Sequence, residues 1–107
     1  MKPVRPSESD PSTEWYENGK KKREGHLKNG KQDGVWTTWH ENGQKSREVN
    51  YRDGVPVGSW TTWYETGKIK RIGSFDRKGS KDGLWVWYDK DGCESARADY
   101  KEEPLLN

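Results

Sequence analysis

The sequence predicts an all-β fold: a single-domain antiparallel meander of about four tandem β-hairpin repeats, laid out as a single-layer twisted sheet. Three observations predict it. A motif recurs with a period of 24 residues, from Trp15-Tyr16-Glu17-Asn18-Gly19 to Trp39-His40-Glu41-Asn42-Gly43 and Trp63-Tyr64-Glu65-Thr66-Gly67. Large residues keep fixed distances from each turn glycine: Leu27, Tyr51, Phe75 and Tyr100 stand eight positions after it, and Trp36, Trp60 and Trp85 seven before the last three. The composition, with 27% hydrophobic against 36% charged residues, is too poor in aliphatics for a thick core, but 7 Trp and 5 Tyr supply enough apolar area to order one sheet. At 107 residues the chain holds one small domain.

The elements follow in order. Residues 1–13 carry three of the five prolines, with Ser and mixed charge and no apolar alternation, and read as a disordered N-terminal tail. The repeats occupy residues 14–103. Within a unit, residues 36–41 are rich in Trp and Thr, Asn42-Gly43 suits a two-residue type I′ turn, and residues 44–51 return as a second strand. A fourth copy, Tyr88-Asp89-Lys90-Asp91-Gly92, is displaced to 25 by one residue added between Asp76 and Gly83. The connectors 28–34, 52–59 and 76–83 are turn-rich and too short for a crossover helix, so successive hairpins should pair into one meander. Residues 104–107 read as a C-terminal tail, and the segment from Lys101 onward as a cap on the last strand.

Strand alternation places Lys21, Arg23, Gly25 and Leu27 on one face, in register with Lys45, Arg47, Val49, Tyr51 and with Ile69, Arg71, Gly73, Phe75. The small residues Gly25, Val49, Gly73 and Ala98 leave room for the rings of Trp39, Trp63 and Tyr88 to lie over them. Trp36, Trp60 and Trp85 stand three residues before those rings, an odd spacing that puts them on the other face. This ladder, roughly 10 Å from rung to rung, together with Arg23, Arg47 and Arg71, is the candidate partner-binding surface, because Trp, Tyr and Arg dominate binding hot spots. Structural packing is the competing role for both rows.

In order, an aromatic pair, Glu-Asn-Gly, a Lys-rich return strand, then Asn-Gly and Asp-Gly-x-Trp run from Trp15 to Trp36 and recur. In this pattern the chain resembles the MORN repeat variant family of bacteria over roughly residues 14 to 103. The resemblance implies a β-hairpin array. Many short bacterial members are labelled antitoxins of toxin and antitoxin pairs, and eukaryotic relatives are associated with membrane junctions. The family's apolar residue two positions after the turn glycine is met by Ile69 alone, since Lys21, Lys45 and Glu94 take that place elsewhere.

The chemistry argues for binding over catalysis. The formal charge of +2, from 20 basic and 18 acidic residues, gives no overall field to recruit nucleic acid or membrane. The basic clusters around Lys20 and Arg71 could approach phosphates, but Glu24, Glu48, Asp33, Asp53 and Asp82 interrupt them. His26 is replaced by Asn50, Ser74 and Asp99 at equivalent positions, and His40 by Tyr16, Tyr64 and Asp89, so neither reads as a fixed base. Cys93 has no second cysteine for a disulfide or metal site. No cofactor, metal, catalytic residue or small-molecule substrate is expected. No apolar run is long enough for a signal peptide or membrane helix, which makes the cytoplasm the default location. The expectation is a non-catalytic module that binds, and could inhibit, a protein partner. The alternatives are a basic and aromatic surface for phospholipid headgroups or nucleic acid, and a self-assembling protein that dimerises through a sheet face or edge.

Overall fold

The computed structural model describes residues 10–100, which form one eight-stranded antiparallel sheet whose spatial order is the order of the sequence. The strands are β1 Asp10–Trp15, β2 Lys21–Lys28, β3 Lys31–Trp39, β4 Lys45–Arg52, β5 Val55–Trp63, β6 Ile69–Phe75, β7 Lys81–Tyr88 and β8 Glu94–Asp99. The expected terminal tails, outside 10–13, and the expected cap after Tyr100 lie outside the described residues. Residues 10–13, read as tail on account of Pro11, belong instead to β1. That strand pairs with β2 alone, so its proline sits on an edge strand, where a missing N–H is tolerated. Backbone packing between elements runs almost wholly between consecutive strands, and the Cα extents of 60 × 43 × 11 Å are those of one open layer.

Two kinds of turn alternate. The Asn-Gly expected to make a type I′ turn does not: at Asn18-Gly19 and Asn42-Gly43 only the glycine has positive φ, +89° and +94°. Gly19 N–H donates to the Tyr16 carbonyl at 3.0 Å and Tyr16 N–H to the Lys20 carbonyl at 2.8 Å, the pattern of a type I turn closed by a glycine bulge. The type I′ geometry belongs to the connectors, at Asn29-Gly30 (φ +53° and +83°) and Asp53-Gly54 (φ +52° and +82°). The added residue of the third connector is absorbed by a change of type. Asp76 to Ser80 makes another type I turn with a glycine bulge, closed by Asp76 N–H to the Ser80 carbonyl at 2.9 Å.

Each first kind of turn also inserts one residue into the return strand. Glu14 pairs with Arg23 and Trp15 with Lys21, leaving Lys22 as the extra residue, and the same step recurs at Thr38/Trp39, Thr62/Trp63 and Trp87/Tyr88. The bulge reverses the alternation. Lys21 therefore lies over Trp39 (5.7 Å from the ring centroid) while Arg23 lies over Trp36 (5.6 Å), on opposite faces and not on one as simple alternation predicts. The faces are thus a Trp face, with Trp36, Trp60, Phe75 and Trp85, and an opposite face with Trp39, Trp63, Ile72 and Val86.

Candidate functional site

The rings that lie over the small residues are those of Trp36, Trp60 and Trp85, which corrects the expected packing by Trp39, Trp63 and Tyr88. Trp36 pairs directly with Val49 and Trp85 with Ala98, so they share a face with the small residues. The device is the Gly-x-Trp segment. Gly34 and Gly83, at φ +80° and +72°, open a bulge in which residues 34–36 face Gly25 and residues 83–85 face Gly73. Each Trp ring then folds onto its glycine so closely that a Cβ there would stand 2.2 Å and 2.1 Å from ring carbons. The indole N–H groups donate to the carbonyls of His26 (2.9 Å) and Ser74 (3.0 Å).

The second unit departs from this. Val49 stands where the others have glycine, and Trp60 stays in the ladder opposite it, with the register breaking one residue later, between Val49 and Tyr51. Its indole N–H, although buried, finds no hydrogen-bond partner among the described residues. A buried donor without a partner costs about 1–3 kcal/mol. The ring instead stacks on Phe75 (centroids 5.3 Å, interplanar 29°), meets Trp85 edge-on (5.2 Å, 78°) and lies under the Arg71 guanidinium at 4.5 Å. Phe75 meets Trp85 edge-on at 5.2 Å, and Tyr100, the residue after β8, extends the cluster.

The structure therefore divides the sequence-predicted surface. Trp36 is 6% and Trp85 0% exposed, so both are sealed into the packed row. Arg23 is tied to Glu14 by an ion pair of 2.7 Å. Trp60, Arg47 and Arg71 remain together. Trp60 and Arg47 line a groove of about 160 Å³ with Val49, Tyr51, Pro56 and Phe75. Phe75 also borders a second groove of about 610 Å³ bounded by Arg52, Val57, Gly58, Asp76, Arg77 and Asp82. Among the described residues Arg47 and Arg71 form no ion pair, whereas Lys21–Glu24, Lys45–Glu48 and Glu94–Arg97 neutralise one another on the opposite face. Pro56, Tyr51 and Phe75 were missed as site residues. The one signal that could have found the groove was Val49, a branched residue in a column otherwise Gly, Gly and Ala.

Two carboxylates are shifted by local bonds. Asp76 is held below the ordinary aspartate value chiefly by the Ser80 N–H, with help from Lys78, and Glu94 is held down by its hydrogen bonds from Arg97. Both serve turns and strand edges. His40 is structural too: its Nε2 lies 3.0 Å from the Trp63 carbonyl, so that nitrogen must carry the proton and donate. Tyr16 and Tyr64 do the same in their units, donating to the carbonyls of Trp39 (2.6 Å) and Tyr88 (2.7 Å). Among the described residues no three His, Cys, Asp or Glu side chains are grouped to hold a metal ion, and no helix is long and apolar enough to cross a membrane.

Neither a curated protein nor a solved structure matches the chain. The profile of the MORN repeat variant matches three successive segments, residues 11–29, 32–53 and 56–77, which correspond to β1–β2, β3–β4 and β5–β6, while β7–β8 repeats the same hairpin beyond them. These segments make up more than half of the chain, and with the repeated turn, bulge and Trp geometry they show that it belongs to the MORN repeat variant family, whose repeats generally serve as binding scaffolds.

Proposed function

We propose that this chain is a non-catalytic protein-binding module that holds an acidic, apolar-anchored segment of its partner on the Trp face, in the groove between Val49, Trp60 and Phe75. One observation carries the reading. Among the described residues Arg47 and Arg71 form no ion pair and no carboxylate lines the groove, whereas three Lys or Arg side chains of the other face are each paired with a Glu. A guanidinium beside an aromatic wall suits a carboxylate next to a buried side chain. Blocking the partner's activity would follow from occupying its acidic segment.

The test is capture from native host extract on immobilised wild-type chain and on Arg47→Glu, with circular dichroism showing that the variant folds. A protein retained by wild type and lost by the variant supports the reading once the groove's backbone signals shift on adding it. Retention by both, or by neither, ends it. Binding of anionic vesicles or oligonucleotides that collapses steeply with salt would point instead to phosphate recognition.

A further inference from the structure

The opposite face carries a second pattern, written at the second and fifth residues after each turn glycine. The pairs are Lys21 and Glu24, Lys45 and Glu48, Ile69 and Ile72, then Glu94 and Arg97. The first, second and fourth are ion pairs at 2.8, 3.4 and 2.6 Å. The third is apolar and open to solvent, with Ile69 37% and Ile72 36% exposed. Ile72 pairs with Val86, which is itself buried at 7%, Ile69 pairs with Trp63, and Leu84 lies on the same face at 47% exposure, so Ile69, Ile72 and Leu84 are the exposed apolar residues of an apolar row across β5, β6 and β7. The ion pair on one flank, in β4, has the opposite polarity to that on the other, in β8.

We infer that this face is the contact between two copies of the chain, related by a two-fold axis running along β6. Such an axis lays β6 on β6 and β4 on β8 of the second copy. Ile69 and Ile72 then meet their own counterparts. Lys45 comes opposite Glu94 of the second copy, and Glu48 opposite Arg97, because the two flanking pairs occupy equivalent positions with reversed sign. Two sheets packed face to face keep their strands within about 30° of each other, close enough for these long side chains to reach. Five strands, at roughly 4.8 Å spacing, give a contact on the order of 1,000 Å² in total, the lower end of specific interfaces and suited to a reversible dimer. The Trp face offers no such match, since pairing it with itself would set Arg47 and Arg71 against their like.

The test is molar mass by light scattering and sedimentation at rising concentration. Wild type should move from 12.5 kDa toward twice that value. The Ile69→Lys, Ile72→Glu double variant writes the Lys and Glu of the first two units into the third; with circular dichroism showing that it folds, it should stay monomeric. Lys45→Glu with Glu48→Lys keeps the local ion pair and the net charge but sets like charges across the axis, and should also be monomeric. Adding Glu94→Lys and Arg97→Glu should restore the dimer. A wild type that is monomeric throughout overturns the proposal, as does a dimer that survives either double variant or fails to return in the fourfold one. Arg47→Glu should dimerise as wild type does, which keeps this contact separable from partner binding.

Discussion

At the scale of single residues, glycine and tryptophan act as one unit. Gly25 and Gly73 are needed for the absence of a side chain, because each lies under an indole that has nowhere else to bond. Gly73→Ala places a methyl group 2.1 Å from the Trp85 ring, at the most enclosed side chain among the described residues. The ring must lift and break its bond to the Ser74 carbonyl. Overpacking of this kind costs about 1–3 kcal/mol, which thermal or urea unfolding should show as a clear loss, whereas Ala98→Gly should cost only about the 0.5–1 kcal/mol of backbone freedom. The small column was legible in the sequence, but its partner row was misassigned. Counting by twos cannot see a bulge, and one inserted residue per unit carries every later side chain to the other face.

The element scale is set by how one hairpin is tied to the next. Besides the strand ladder, each of the first three turns sends a side chain forward to a backbone carbonyl of the following unit, from Tyr16, His40 and Tyr64. Tyr64→Phe removes one such bond and leaves the ring, so a loss of about 1 kcal/mol is expected, read as a lowered melting temperature. The third connector responds to acid. The folded pKa of Asp76 lies below its ordinary 3.8, so the stability it lends is present above that value and disappears as pH falls through the folded one. Amide exchange at Ser80 and Lys78, whose N–H groups bond the carboxylate at 3.0 and 2.9 Å, should speed up on acidification, and Asp76→Asn should flatten that dependence. The sequence showed that a residue had been added in this connector. The change of turn type that absorbs it depends on which N–H groups Asp76 can reach, and repeat spacing does not carry that information.

For the whole molecule, stability is unevenly spread along a one-dimensional array. Trp60, Phe75, Trp85 and Tyr100 form a connected aromatic cluster across β5 to β8, while β1 is an edge strand whose Trp15 is 58% exposed. Native-state hydrogen exchange should be slowest in β5, β6 and β7 and fastest in β1 and β2. Uniform protection across all eight strands would mean that the sheet opens only as a whole. Fold class, strand order and repeat number were readable because period, turn residues and aromatic spacing all agree. The candidate groove was not, because it arises where one unit breaks the pattern of its neighbours, at Val49, and only the packed sheet shows what Trp60 does in response.

The forward links have an end. In the fourth unit the place of Tyr16, His40 and Tyr64 is taken by Asp89, whose carboxylate turns back to the N–H groups of Asp91 and Cys93 at 3.0 and 2.9 Å. The row of forward links thus has a direction and stops at the fourth described unit. A gene duplication that placed another unit ahead of β1 would give it a waiting carbonyl at Trp15, whereas one placed behind β8 would find Asp89 turned back on its own turn and not extended toward it. Growth by added units is therefore easier ahead of β1 than behind β8, and replacing Asp89 with tyrosine would restore one forward donor in the fourth unit.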